Sequence, residues 1–147
     1  MTVDRRRRLA SEAVGTALLL AAVVGSGIMG ERLAGGNMAI ALLANTLATG
    51  AALVALILTF GPICGAHFNP AVTLADASQR GLAWADVPGY VAAQCVGAIG
   101  GVWAAHAMFD ERILMLATHV RHGFAQMLSE FVATFGVETL IDSEDWR

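Results

Sequence analysis

The chain has 147 residues, of which 56 % are hydrophobic and 14 % are charged, and its mean hydropathy is +0.63. Soluble domains have about a quarter of their residues charged, so this composition indicates a membrane protein. The net charge is −3 and lysine is absent, which argues against nucleic-acid binding through a basic face. Cys64 and Cys95 lack the spacing of a metal site or a disulfide framework, and we expect no metal and no cofactor.

Three apolar runs each exceed the ~18 residues that a membrane span requires. They comprise residues 9–30, 38–60 and 87–109. The first run contains Glu12 and follows four arginines, as a signal peptide would. However, it is longer than the apolar region of about 7–15 residues in a signal peptide, which favours a retained helix. A fourth run, 124–141, is interrupted by Glu130 and Glu138 and is a weaker candidate.

Arginine placement predicts the orientation of these spans. If the N-terminus is cytoplasmic, six of the nine arginines lie on the inner side, in agreement with the positive-inside rule. We therefore expect an integral protein of a bacterial-type plasma (inner) membrane with its N-terminus in the cytoplasm.

Between the second and third runs, Asn69-Pro70-Ala71 predicts the start of a helix. Asn is a favoured N-cap residue, and Pro suits the first helical position. A helix over 70–79 would be about 15 Å long, half of the ~30 Å hydrocarbon core, so this segment must enter the membrane and return. We expect residues 63–68 to enter as non-helical chain. Exposed irregular backbone at that depth requires a cavity.

The residues of this loop suggest what the cavity conducts. Small residues before Asn69 let successive carbonyl groups face a file of small polar molecules, while the half-helix directs its N-terminus and the Asn69 amide toward the bilayer centre. That partial positive charge disfavours cations and protons, whereas neutral solutes pass.

Residues 11–17 and 129–135 match at Ser, Glu, Val and Thr and lie 118 positions apart. Inverted repeats of this kind are typical of transporters and channels. A second Asn-Pro-Ala segment would fall near position 187, beyond Arg147, and the match between the copies ends at about Gly136.

Together these features resemble the aquaporins, the major intrinsic protein family. The matching positions are Ser11-Glu12, Gly15-Thr16, Gly65 to Thr73, Tyr90, Ala93-Gln94 and Gly97-Ala98. The resemblance covers residues 9 to about 136 and implies an all-α membrane protein, here an aquaporin-like half with three transmembrane helices, one re-entrant half-helix and a partial fourth helix. Its expected division is a cytoplasmic N-terminus (1–8), a first repeat (9–123) with pore loop 61–79, and the start of a second repeat with an aberrant polar C-terminus (124–147).

The resemblance also implies roles for individual residues. Asn69, with Pro70 and Ala71, forms one of two motifs at the pore centre and donates to the solute. The expected carbonyl acceptors are those of Gly65, Ala66, His67 and Phe68, and the expected supports of the loop are Glu12, Gln94 and Glu130. Two alternatives stay open: direct contact of Glu12 with solute, and a pore-facing His67 ring in place of a hydrogen-bonded one.

The position 20 residues before Asn69 helps to form the narrow filter of the family and is typically aromatic in water-selective members. Here it is Thr49, which favours a wider mouth and solutes such as glycerol or neutral metalloid hydroxides such as arsenous acid. The expected function is a passive channel for water or such solutes, with membrane lipid and small neutral solutes as partners and a homotetramer if complete.

Several alternatives to a conducting channel remain open from the sequence. The chain is expected to be an incomplete form, such as a fragment frameshifted near Gly136, a non-conducting subunit that interferes with full-length channels, or half of a pore made by two oppositely oriented copies. An enzyme using Cys64 and His67 is not expected, because no third orienting group is evident.

Overall fold

The computed structural model describes residues 3–114, 123–129 and 132. The chain divides into two units, 1–114 and 115–147, and the architecture below is that of the first unit. In the second unit, residues 124–129 are helical. Of the rest of the predicted fourth helix, Val132 is helical, and the other residues, including Glu130 and Glu138, lie outside the described residues.

Four helices follow one another in the first unit: α1 (Arg5–Leu33), α2 (Met38–Cys64), α3 (Pro70–Ser78) and α4 (Val87–Met108). No strand occurs among the described residues. The three long helices are long and apolar enough to cross a membrane. Helix α1 packs against both α2 and α4, and the short α3 packs against α4, so α1 is the central helix of the unit.

The turn between α1 and α2 is encoded by the residues between them. Gly35 and Gly36 adopt φ angles of 58° and 86°, which end α1. The Asn37 side chain then accepts the backbone N–H groups of Ala39 at 3.1 Å and Ile40 at 3.3 Å. This capping supplies partners for two of the otherwise unpaired N–H groups at the start of α2.

Helix α2 extends further than the sequence predicts. The expectation that Ile63 and Cys64 enter as non-helical chain is wrong, because both belong to α2, which contains Pro62. The helix ends where Gly65 takes a left-handed φ of 91° and its N–H bonds the carbonyl of Gly61 at 3.0 Å. The non-helical chain between α2 and α3 is therefore limited to residues 65–69.

Close packing of α1 and α4 depends on two glycines of α4. A Cβ atom on Gly97 would collide with the Ala13 carbonyl oxygen, and one on Gly101 with that of Ala17. Ala93, Gly97 and Gly101 recur every four residues, a spacing that predicts close helix approach in membranes, and the structure confirms it at both glycines. Large apolar side chains are exposed on the outer surface of α2, where lipid would contact them. They include Leu42, Leu43, Leu47, Val54 and Leu58.

Candidate pore loop

The half-helix begins at the predicted position. Asn69 has extended backbone (φ −149°, ψ 128°), and its Oδ1 accepts the backbone N–H of Ala71 at 2.8 Å. Pro70 occupies the first helical position, where its missing N–H leaves nothing unpaired. Since Oδ1 is used by the cap, the exposed Asn69 amide directs its N–H donors away from the helix.

The loop backbone before the half-helix is strained. Ala66 and Phe68 have φ angles of 54° and 50°, in the left-handed region that non-glycine residues seldom adopt. Each such residue costs roughly 1–3 kcal/mol and persists only where surrounding contacts enforce it. The loop conformation must therefore be held by groups outside it.

Glu12 supplies the strongest of these contacts. It belongs to α1, is fully buried, and accepts the N–H of His67 through Oε1 at 2.8 Å and the N–H of Phe68 through Oε2 at 2.9 Å. Both carboxylate oxygens thus face the loop backbone, which accounts for the strained conformation. An acidic side chain inside a membrane helix is expected to have such a specific partner.

Gln94 of α4 continues this network. Its Nε2 donates to Glu12 Oε2 at 3.1 Å and to Thr73 Oγ1 at 2.9 Å, and the side chain is 1 % exposed. Gln94 therefore links α1, α3 and α4 at the loop. Glu130, the third expected support, lies outside the described residues.

The His67 ring is part of the same network. Its Nδ1 lies 3.1 Å from Thr73 Oγ1, and its Nε2 lies 3.4 Å from an oxygen of Asp76, with 8 % of the side chain exposed. Both ring nitrogens of His67 therefore face polar side chains of α3. Thr73 matched the family pattern without an assigned role, and Asp76 was not singled out, although their spacing of three residues places both on one face of α3.

Two aromatic side chains complete the loop's environment. The Phe68 ring is 5 % exposed and lies against Gly15, where a Cβ atom would overlap the ring. The Tyr90 hydroxyl donates to the Cys64 carbonyl oxygen at 2.8 Å, so the last carbonyl of α2 has a partner. Tyr90 matched the family pattern, but its spacing in the sequence gave no sign of this bond.

The loop leaves a row of acceptors unused. Within residues 3–114, no protein group donates a hydrogen bond to the carbonyl oxygens at positions 65–68. These four carbonyls precede the Asn69 amide directly. The loop can therefore offer acceptors followed by donors to small polar molecules.

The expected filter residue Thr49 lies on α2 and is half-buried. Its hydroxyl donates to Asn45 Oδ1 at 3.1 Å, and Asn45 also accepts from Ser26 Oγ at 3.0 Å. Asn45 and Ser26 were not singled out as site residues from the sequence.

Cys64 and His67 have separate partners. The Cys64 thiol lies 3.5 Å from the Phe60 carbonyl oxygen, whereas the His67 nitrogens contact Thr73 and Asp76. In the part of the chain that the structure describes, no three His, Cys, Asp or Glu side chains come together as a metal site would require.

A family model described as major intrinsic protein matches residues 1–144. The chain belongs to the major intrinsic protein family. Members of this family are channels and not enzymes. The chain is therefore an integral membrane protein whose three long helices correspond to membrane spans.

Three curated relatives show how much of a major intrinsic protein is present. Aquaglyceroporin AqpS of Rhizobium meliloti (strain 1021) is 53 % identical over 138 residues, which cover 94 % of this chain and 59 % of that protein. Aquaporin NIP6-1 of Arabidopsis thaliana is 33 % identical over 136 residues, which cover 92 % of this chain and 44 % of that protein. Aquaporin NIP2-1 of Oryza sativa subsp. japonica is 35 % identical over 133 residues, which cover 89 % of this chain and 43 % of that protein. The chain thus spans 43–59 % of these relatives.

Proposed function

We propose that this chain forms the first half of a channel through which water and small neutral solutes pass, with Asn69 as the donor at the pore centre. The observation that carries the proposal is the Asn69 cap. Because Oδ1 accepts from Ala71 at 2.8 Å, the amide is fixed with its N–H groups available to a solute oxygen.

Charge at the loop supports passage of neutral molecules. The N-terminus of α3 carries a partial positive charge from its aligned peptide groups, and this repels cations and protons near Asn69. The carbonyl oxygens of residues 65–68 replace water as acceptors along the approach. A solute that both donates and accepts hydrogen bonds satisfies both parts of this path.

The solutes we propose are water together with glycerol or neutral metalloid hydroxides. Thr49 supports the larger solutes because its side chain is small and carries a hydroxyl group. The name of the R. meliloti relative, aquaglyceroporin, refers to water and glycerol, in agreement with this assignment. The proposed setting is a bacterial plasma membrane with the N-terminus cytoplasmic, and the proposed assembly is a homotetramer of complete pores.

The test is solute flux into proteoliposomes followed by stopped-flow light scattering. One sample contains this chain alone, and a second contains it with a separately produced C-terminal part of AqpS. We expect water and glycerol flux above empty liposomes in the second sample. Flux in neither sample would overturn the proposal and favour the alternative, a non-conducting subunit that interferes with full-length channels.

Variants at the two ends of α3 separate the pore donor from a general effect on folding. Asn69→Ala removes the amide and is expected to abolish most of the flux. Gln79→Ala alters the exposed residue at the other end of the same helix and should conduct as the wild type does. Equal flux in both variants would exclude Asn69 as the donor.

A further inference from the structure

The inward surface of α2 has an unusual polar patch. The residues of α2 that are not exposed recur every three or four positions, and this stripe includes Asn45, Thr49, Leu56 and Phe60. Leu56 and Phe60 pack against the buried cluster of Cys64, Ala66 and Phe68. Asn45 lies about 10 Å from the start of α2, seven residues after Met38 at 1.5 Å each. Polar side chains at such depth usually face the protein interior or a water-filled cavity.

Thr49 uses its hydroxyl differently from two other threonines of the same helix. The lipid-facing Thr46 and Thr59 donate to backbone carbonyls four residues earlier, at 2.8 Å and 2.7 Å. Thr49 instead donates to the side chain four residues earlier, that of Asn45, at 3.1 Å. A hydroxyl group has one hydrogen, so Thr49 Oγ1 is left with lone pairs only.

Asn45 is itself held by α1. Its Oδ1 also accepts from Ser26 Oγ at 3.0 Å, and the Ser26 hydroxyl lies 3.2 Å from the Val23 carbonyl oxygen as well. Its Nδ2 lies 3.5 Å from the place that a Cβ on Gly27 would occupy, so glycine leaves room for the amide there. The two hydrogen bonds to Oδ1 orient the amide toward Thr49.

We propose that Asn45 is a positioning residue for solute selection, which rests on the proposed channel function and on Thr49 lining the pore. By taking the Thr49 hydrogen, Asn45 turns Thr49 Oγ1 into a hydrogen-bond acceptor. Neutral solutes with several hydroxyl donors, such as glycerol, are thereby favoured over water, which has fewer donors to satisfy in the pore. Ser26 holds Asn45 in place and does not contact the solute.

The hydrogen bond itself is tested by infrared spectroscopy of the full chain in lipid bilayers. The chain contains three asparagines, at positions 37, 45 and 69, and ¹³C labelling of their side-chain carbonyls isolates three bands. Thr49→Val should shift the Asn45 band to higher frequency, because one of its two donors is lost. Thr46→Val is the matched control and should shift none. An unchanged Asn45 band in Thr49→Val would overturn the proposal.

The consequence for transport is tested in the reconstituted sample that conducts. Loss of one hydrogen bond to solute predicts that Asn45→Leu lowers glycerol permeability relative to water by about threefold to tenfold. Thr49→Val should act in the same direction, whereas Asn45→Asp keeps the two acceptor bonds and should restore the ratio. Thr46→Val should match the wild type.

The outcomes distinguish this inference from the function on which it rests. If the wild type conducts and Asn45→Leu keeps the same glycerol-to-water permeability ratio as the wild type, the inference alone is overturned. Absence of wild-type flux overturns the proposed function and this inference with it.

Discussion

The carboxylate of Glu12 accepts the backbone N–H of Phe68 at 2.9 Å, joining the interior of α1 to a loop residue 56 positions later. Phe68 has a left-handed φ of 50°, so its N–H is presented to α1 only while the strained backbone is maintained. The same carboxylate also holds His67. A single buried acidic side chain therefore fixes the two residues that precede Asn69.

Replacing Glu12 by Gln should loosen the loop. The amide of Gln offers one acceptor oxygen where two backbone donors need one each, so one buried N–H loses its partner at a cost of about 2 kcal/mol. The buried Cys64 thiol, adjacent to the loop, reports this as a roughly thirtyfold faster alkylation in a Cys95→Ser background. Glu31→Gln alters an exposed acidic residue of the same helix and should leave the rate unchanged. If Cys64 is alkylated in Glu12→Gln no faster than in the protein with Glu12 intact, this account is contradicted.

The contact between Gly15 and Phe68 predicts a second effect. Gly15→Ala places a methyl group inside the Phe68 ring and should lower the free energy of unfolding by about 1–3 kcal/mol. The measurement is helix content by circular dichroism during titration with sodium dodecyl sulfate. Gly50→Ala, where a Cβ meets nothing within 4 Å, is the control and should not destabilise. Phe68→Leu should partly rescue Gly15→Ala, and no rescue would indicate that Gly15 acts elsewhere.

Local residue chemistry predicts the start of α3 but not the end of α2. The cap at Asn69 and the proline after it involve neighbouring residues only, so the sequence contains all the information. The end of α2 depends on Tyr90, 26 positions away, and on the left-handed Gly65. The small residues before Asn69 accompany the expectation of non-helical chain from residue 63, which these contacts override.

The residues that support the loop also divide into those that the sequence identifies and those that only contacts between distant residues reveal. Membrane burial makes Glu12 conspicuous in the sequence, and the family resemblance gives its role. The position of Asp76 beside the His67 ring depends on how far α3 turns over the loop, which no local pattern encodes. The sequence does not identify Asn45 as a site residue, because its hydrogen-bond partner Ser26 lies 19 positions earlier on another helix.

Tyr90→Phe should destabilise the junction of α2 and the loop. It leaves the Cys64 carbonyl without the hydroxyl donor at 2.8 Å, a buried bond that contributes about 1 kcal/mol. Titration with sodium dodecyl sulfate, followed by circular dichroism, measures this loss of stability. Thr59→Val removes a hydroxyl that also bonds a carbonyl, at 2.7 Å, but on the exposed side of α2. It should change stability by less than about 0.5 kcal/mol, and an equal loss in both variants would mean that the Tyr90 hydroxyl has no special role.

Three glycines of α4 give the sharpest comparison of packing. Gly97→Ala forces a methyl group against the Ala13 carbonyl oxygen, and Gly101→Ala does the same at Ala17. Since backbone cannot yield as a flexible side chain can, each should lower stability by about 3 kcal/mol, the upper part of the range for overpacking. Gly100→Ala adds the same methyl group where nothing lies within 4 Å and should gain about 0.5–1 kcal/mol from higher helix propensity. Loss of monodisperse protein after heating in detergent, measured by size exclusion, should occur at lower temperature in the first two variants only. If Gly100→Ala lowered stability as much as Gly97→Ala does, the role of these glycines in the close approach of α1 and α4 would be contradicted.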